Sequence, residues 1–186
     1  ITYAKNMRLT EQEIREMDTE VDKFPEIFKA YNTKLRRMQM IDYDDQMIYA
    51  LRILEQYPEV LSHFRGQYRY FCVDEAQDTS KIQHDMIDLL SAESRNLFMV
   101  GDEDQSIYGF RAAYPQALVS FETRHPGARV LLMETNYRSR QEIVRASDAL
   151  IQKNRNRHPK KMTASRTAGG CVTEIKAVSR QGQYNY

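Results

Sequence analysis

Two stretches decide the fold: Tyr70-Phe71-Cys72-Val73-Asp74-Glu75-Ala76-Gln77-Asp78 and Asn96-Leu97-Phe98-Met99-Val100-Gly101-Asp102-Glu103-Asp104-Gln105. Each is a short, unbroken apolar run that ends abruptly in acids and amides. Between them, Ser80-Lys81-Ile82-Gln83 has the pattern of a capping box and opens a helix with Ile82, Met86, Leu89 and Leu90. A helix from about Pro115 to His125 follows, then a third apolar run, Arg129-Val130-Leu131-Leu132-Met133. Continuous apolar strands separated by helices predict an α/β fold with a parallel sheet covered on both faces. Ligands of such sheets sit off the carboxyl ends of the strands, which is where the polar clusters fall.

Upstream, the chain reads as helix. Thr10-Glu11-Gln12-Glu13 is another capping-box pattern, with Ile14, Met17 and Val21 behind it. A second helix after Pro25 carries Ile27, Phe28, Tyr31, Leu35 and Met38 on one stripe. A third starts near Asp42, carries Met47, Ile48, Leu51 and Leu54, and stops at Pro58. Thin apolar stripes predict a small helical subdomain or plain scaffold rather than a deep core. Downstream, Ser139 and Glu142 suggest a third capping box, opening a helix to about Asn154 with Ile143, Ala146, Leu150 and Ile151 inward. Lys153, Arg155, Arg157, Lys160, Lys161 and Arg166 follow with no acid among them, and Cys171–Val178 alternates like a strand.

Composition sets the outer bounds. The 186 residues carry 27 Lys+Arg and 26 Asp+Glu, a net charge of +1, with 41% hydrophobic and 28% charged residues. That balance disfavours disorder. No run approaches the roughly 18 apolar residues of a membrane span, so no membrane partner is expected. Cys72 and Cys171 form neither metal spacing nor a disulfide framework, which suits a reducing, cytoplasmic setting. The chain starts at Ile1 without an initiator Met, so it is expected to be cut from something longer.

The strand-tip residues suggest chemistry. Asp74-Glu75 at the end of a strand suits magnesium, a hard ion held by one or two carboxylates plus phosphates and water. The second carboxylate would then accept a proton from an attacking water. Equally, Val73-Asp74-Glu75-Ala76-Gln77-Asp78 reads as an acidic loop whose charges favour the next helix N-terminus. Gln105 suits the sensing of a phosphate oxygen or a water. Tyr108, Phe110 and Arg111 offer two aromatic faces and a guanidinium, the usual means of stacking single-stranded bases, or else two core aromatics.

Taken together, Asp74-Glu75-Ala76-Gln77-Asp78, Gly101-Asp102 through Arg111, and Asn136-Tyr137-Arg138-Ser139 closely resemble the UvrD/Rep/PcrA branch of superfamily 1 DNA helicases. Ile41-Asp42-Tyr43-Asp44-Asp45 extends the resemblance into the helical third. The resemblance implies ATP and Mg2+ as cofactors and single-stranded and tailed duplex DNA as partners. It implies that Asp74 helps hold magnesium, Glu75 is the base for the hydrolytic water, and Gln105 contacts the γ-phosphate and reports nucleotide state to DNA. Tyr108 and Phe110 would line the single-strand track, with Arg111 supporting that junction. Tyr137 would stack on adenine and Arg138 would be an arginine finger. The basic stretch from Lys153 to Arg166 either contacts phosphates or is a solvated helix end and loop.

The departures are informative too. Phe110 stands where the best-known relatives have Trp, Ala112 where many have Gly, and Thr135 where Gln is common. No Gly-x-x-x-x-Gly-Lys-Ser/Thr loop occurs among the seven glycines. The expectation is therefore an internal piece of a helicase. Residues 1–66 would end an inserted helical subdomain, 67–134 would form the back half of a RecA-like motor domain, and 135–186 would begin a second. By itself such a piece would hydrolyse no ATP at a useful rate. The whole would be a 3′–5′ DNA helicase of repair or replication. The competing readings are a helicase–nuclease motor subunit, a non-catalytic nucleic-acid-binding module, and a metal-dependent phosphoesterase using Asp74, Glu75, Asp102 and Asp104.

Overall fold

Side-chain caps set where several helices begin. A computed structural model describes residues 1–107, 109 and 112–173, which fall into two compact units, one up to Pro126 and one from Gly127 onward. In the first unit, α1 (Thr2–Asn6) precedes α2 (Glu11–Glu16). Thr10 Oγ1 accepts from Glu13 N at 3.3 Å while Glu13 Oε2 accepts from Thr10 N at 2.7 Å, the expected reciprocal box. Helix α3 (Phe24–Arg37) has Pro25 in its first turn, where the missing N–H is no loss. Helix α4 (Tyr43–Gln56) starts on a box built from two acids. Asp42 Oδ1 accepts from Asp45 N at 2.8 Å, and Asp45 Oδ2 accepts from Asp42 N at 3.3 Å. Pro58 ends α4 as expected, but it also opens α5 (Pro58–Gln67).

The apolar stripes bury less than their spacing suggests. Ala4, Ile14 and Phe24 form one small core, with Leu9, Met17 and Phe28 against it. Leu51 and Leu54 of α4 and Ile82 of α6 (Lys81–Ser91) are buried where those helices pack. On α3 only Phe24 is buried, and Ile27 and Met38 of the expected stripe are exposed. Val21 lies beyond the end of α2 and is exposed as well.

Strands β1 (Phe71–Val73) and β2 (Leu97–Met99) pair in parallel, with Phe71 opposite Leu97 and Val73 opposite Met99. Helix α6 makes the crossover, opened by Gln83 Oε1 accepting from Ser80 N at 2.8 Å. The expected helix over 115–125 is divided into α7 (Gln116–Val119) and α8 (Phe121–Arg124). The break falls at Ser120, whose hydroxyl turns back onto the Gln116 carbonyl at 2.6 Å.

In the second unit the expected third strand, Arg129–Met133, does not form, and Leu131 and Met133 are each 82% exposed. Pairing uses the polar segment that follows. Strand β3 (Thr135–Arg140) runs parallel to β4 (Thr163–Arg166), with α9 (Gln141–Ile151) between them. An apolar run makes a buried strand only where partners flank it, and here β3 pairs with β4 and not with that run. The expected Ser139–Glu142 capping box is also absent. Arg140 is the N-cap, and the Glu142 carboxylate accepts from Gly169 N at 2.8 Å instead. That bond holds the Glu142 carboxyl below the usual carboxylate range. A sheet this narrow covers little of α9, so Val144 is buried while Ile143 and Leu150 stay exposed. Residues 171–173 form no strand, and the rest of the run expected to reach Val178 lies outside the described residues. Among the described residues no helix is long and apolar enough to cross a membrane. The fold is thus mixed helix and strand with two small parallel sheets.

Candidate functional site

The carboxyl ends of β1 and β2 lie side by side because the ladder continues past the strands. Val100 N donates to Val73 O at 2.8 Å, and Ala76 N donates to Val100 O at 3.0 Å. Between these bonds the chain turns sharply at Glu75, which takes φ 48° and ψ 42°, the left-handed region that non-glycine residues seldom occupy. Such strain tends to collect where a side chain must be presented. Here it leaves Asp74 and Glu75 both exposed, with Asp74 Oδ1 accepting from Glu75 N at 2.9 Å.

One buried side chain joins the two tips. Gln77 is 2% exposed, and its Nε2 donates to Glu75 Oε2 at 2.7 Å. Its Oε1 accepts from Asp102 N at 3.0 Å, and its carbonyl accepts from Ser106 Oγ at 3.3 Å. Asp102 then accepts from Gln105 Nε2 at 2.8 Å and from Asp104 N at 3.2 Å. A continuous hydrogen-bonded path therefore runs from Glu75 through Gln77 and Asp102 to Gln105. Gly101 is needed for the fit. A Cβ there would lie 2.7 Å from Gln77 Oε1 and 3.2 Å from Ala76 N.

His84 supports the turn from beneath. It is fully buried, with Nε2 2.5 Å from Thr79 Oγ1 and 3.3 Å from Ala76 O, while Nδ1 has no hydrogen-bond partner. Burial, aided by the nearby Arg124 charge, lowers its pKa to about 4. The imidazole is therefore neutral near pH 7 and donates to Thr79, whose hydroxyl passes the bond to Ala76 O at 2.7 Å.

Asp74, Glu75 and Gln105 are thus brought together in the first unit. Tyr137 and Arg138 belong to the second unit, both exposed on β3. They stand on an irregularity in the β3–β4 ladder, where Asn136 Oδ1 accepts from Arg138 N at 3.0 Å and from Ser139 N at 2.8 Å. The Arg138 carbonyl accepts from Arg166 Nη1 at 2.9 Å. Tyr108, Phe110 and Arg111 lie outside the described residues. Gln77 and Gly101 sit inside the quoted motifs, yet their bridging role is invisible there because it joins atoms 25 residues apart.

Among the described residues no three metal-capable side chains converge. The exposed Asp74 and Glu75 beside the Asp102–Gln105 loop offer an open carboxylate position, the donor set of an ion that takes its other ligands from phosphate and water.

Residues 1–126 match the family model described as "UvrD/REP helicase N-terminal domain". The chain is 37% identical over 161 residues to a Leuconostoc citreum protein named "ATP-dependent DNA helicase PcrA", covering 87% of this chain and 22% of that protein. It is 35% identical over 160 residues to proteins of the same name from Staphylococcus epidermidis and Staphylococcus aureus, covering 86% of this chain and 22% of each. The chain therefore spans about a fifth of the length of these curated relatives.

Proposed function

The chain belongs to the UvrD/REP helicase family, and from that premise we propose that it is part of an ATP-dependent DNA helicase. In this reading the β1–β2 pair belongs to a RecA-like motor domain, residues 1–66 end an inserted helical subdomain, and residues from 135 begin a second motor domain. The substrates are ATP and single-stranded or tailed duplex DNA. Movement is 3′–5′, and the setting is cytoplasmic DNA repair or replication. One observation carries the proposal: the hydrogen-bonded path that links Glu75 to Gln105 at the carboxyl ends of two parallel strands.

Magnesium, when bound with ATP, supplies charge neutralisation of the β- and γ-phosphates. Asp74 would hold it on the protein side. Glu75 orients the attacking water and takes its proton, and the Gln77 amide keeps that carboxylate turned toward its task. Gln105 donates to the γ-phosphate end of the site. Tyr137 stacks on the adenine, and Arg138 stabilises the developing charge. Tyr108, Phe110 and Arg111 grip the DNA strand. The chain contains no Gly-x-x-x-x-Gly-Lys-Ser/Thr, so the phosphate cradle comes from residues outside it, and the 186 residues alone turn over no ATP.

The test is Glu75→Gln in the whole helicase that carries this chain. DNA-stimulated ATP hydrolysis should fall by about 10²–10⁴-fold, the usual contribution of a general base. Nucleotide binding should persist. Near-normal turnover would remove Glu75 from the role of base.

A further inference from the structure

We infer that Gln77 is a positioning residue for hydrolysis, one that makes the orientation of the Glu75 carboxylate and the seating of the Asp102–Gln105 loop a single hydrogen-bonded state. The inference deepens the proposed ATPase reading and rests on it.

The geometry is specific. Gln77 is the only side chain among the described residues that hydrogen-bonds both to a Glu75 carboxylate oxygen and to the backbone of the loop after β2. Its neighbours dictate which way the amide faces. The Asp102 N–H can only donate, so it requires the oxygen; the Glu75 carboxylate can only accept, so it requires the nitrogen. The amide therefore cannot flip without losing both bonds at once.

Burial makes that condition strict. At 2% exposure Gln77 has no water to replace a lost partner, and an unmet buried donor or acceptor is costly. The surroundings hold the amide in place. The backbone carbonyl of Gln77 accepts from Ser106 Oγ, which fixes the main chain that carries the amide, and the bare Cα of Gly101 leaves the space that Oε1 occupies. Asp102 in turn holds the Gln105 amide through Nε2. If Gln105 is drawn toward a phosphate, the Asp102 segment shifts, and Gln77 carries that shift to Glu75. The base and the loop that senses the nucleotide are then aligned together or not at all. Glu75 sits on a left-handed turn with its side chain exposed, so the amide supplies the hydrogen bond that selects one carboxylate orientation.

A bracing role for Gln77 would need only its acceptor, which secures Asp102 N. The positioning role needs the donor as well. Gln77→Glu separates the two, because it keeps an acceptor for Asp102 and sets a second carboxylate against Glu75. Gln77→Met removes both bonds at nearly constant volume.

The experiment measures DNA-stimulated kcat and the KM for ATP in the whole helicase carrying this chain. The variants are Gln77→Met, Gln77→Glu and Glu75→Gln, each with its thermal unfolding midpoint. Both Gln77 variants should lose about 10–100-fold in kcat, the scale expected from misplacing a reacting group by an ångström or less, with KM within about threefold. A Gln77→Glu enzyme with near-normal kcat would reduce Gln77 to a loop brace and overturn the inference. So would a Gln77→Met effect confined to KM. Should either variant fail to fold, Gly101→Ala decides. It removes no polar group, but its Cβ would lie 2.7 Å from Gln77 Oε1 and 2.8 Å from Leu118 Cδ1, so in a variant of normal unfolding midpoint it should displace the amide and reproduce the kcat loss at unchanged KM; normal kcat would refute the coupling. Glu75→Gln keeps the two claims apart. If it retains turnover, the base assignment itself falls. If it abolishes turnover while the Gln77 variants are normal, only the coupling falls.

Discussion

Lys5 and Asp45 meet at 2.7 Å, Nζ to Oδ1, although 40 residues separate them and both are buried. The same ammonium lies 2.7 Å from Asp42 Oδ2, which also accepts from the Tyr31 hydroxyl at 2.8 Å. Three helices are thereby clipped at the cap of α4. Burial acts to lower the Lys5 pKa, but the two carboxylates outweigh it and hold it above the usual lysine value. Burial likewise acts to raise Asp42, yet Lys5, the Asp45 N–H and Tyr31 keep it below the usual carboxylate value. The clip is therefore intact across the neutral range. It is lost as pH falls through the Asp42 pKa or rises through that of Lys5.

Removing the ammonium leaves two carboxylates facing each other in a largely buried site. Lys5→Met should destabilise the first unit by about 2–4 kcal/mol, toward the lower side of a broken buried pair because Asp42 stays partly accessible. Tyr31→Phe should cost about 1 kcal/mol. Urea unfolding followed by circular dichroism measures both, and a Lys5→Met effect below 1 kcal/mol would show the clip to be a surface contact.

His84 makes stability depend on mild acid. Its pKa is lowered from 6.5 unfolded to about 4 folded, so the unfolded chain binds the extra proton first. Stability should fall as pH drops from about 6.5 to about 4, with no further contribution below that. A shift of this size corresponds to on the order of 3 kcal/mol. Unfolding free energies measured across that window should show a flatter slope in His84→Gln than in the parent chain.

Helix α3 ends in a Schellman motif without glycine. Met40 N donates to Leu35 O at 3.0 Å and Gln39 N to Arg36 O at 3.1 Å, which places the exposed Gln39 at φ 54°. Gln39→Gly should stabilise the chain by about 0.5–1 kcal/mol, because glycine occupies the left-handed region without penalty. An unchanged or lower thermal midpoint would contradict this.

Arg138 carries the finger assignment. In the whole helicase, Arg138→Ala should slow hydrolysis by about 10³–10⁵-fold while ATP still binds. A single-turnover rate within tenfold of normal would return Arg138 to a plain exposed strand residue.

The helix caps at Thr10 and Ser80, the Pro58 boundary, the parallel β1–β2 pair and the acid clusters at its carboxyl ends were all legible in the chain, because each depends on residues a few positions apart. The Arg129–Met133 run misled for the complementary reason. Its hydrophobicity is local, but being a strand requires a partner, and the second unit pairs Thr135–Arg140 with Thr163–Arg166 instead. Ser139 and Glu142 had the spacing of a box, yet Gly169 N took the carboxylate.

By itself, then, the sequence determined which side chains gather at the strand tips and which family the chain resembles. Residue identity and short spacing carry that information. Only the tertiary structure decided that Gln77 joins Glu75 to Asp102, that Gly101 must stay bare, that His84 is held neutral, and that Lys5 closes on Asp42 and Asp45. Each of these depends on burial and on hydrogen bonds between distant segments, which exist only once the chain has folded.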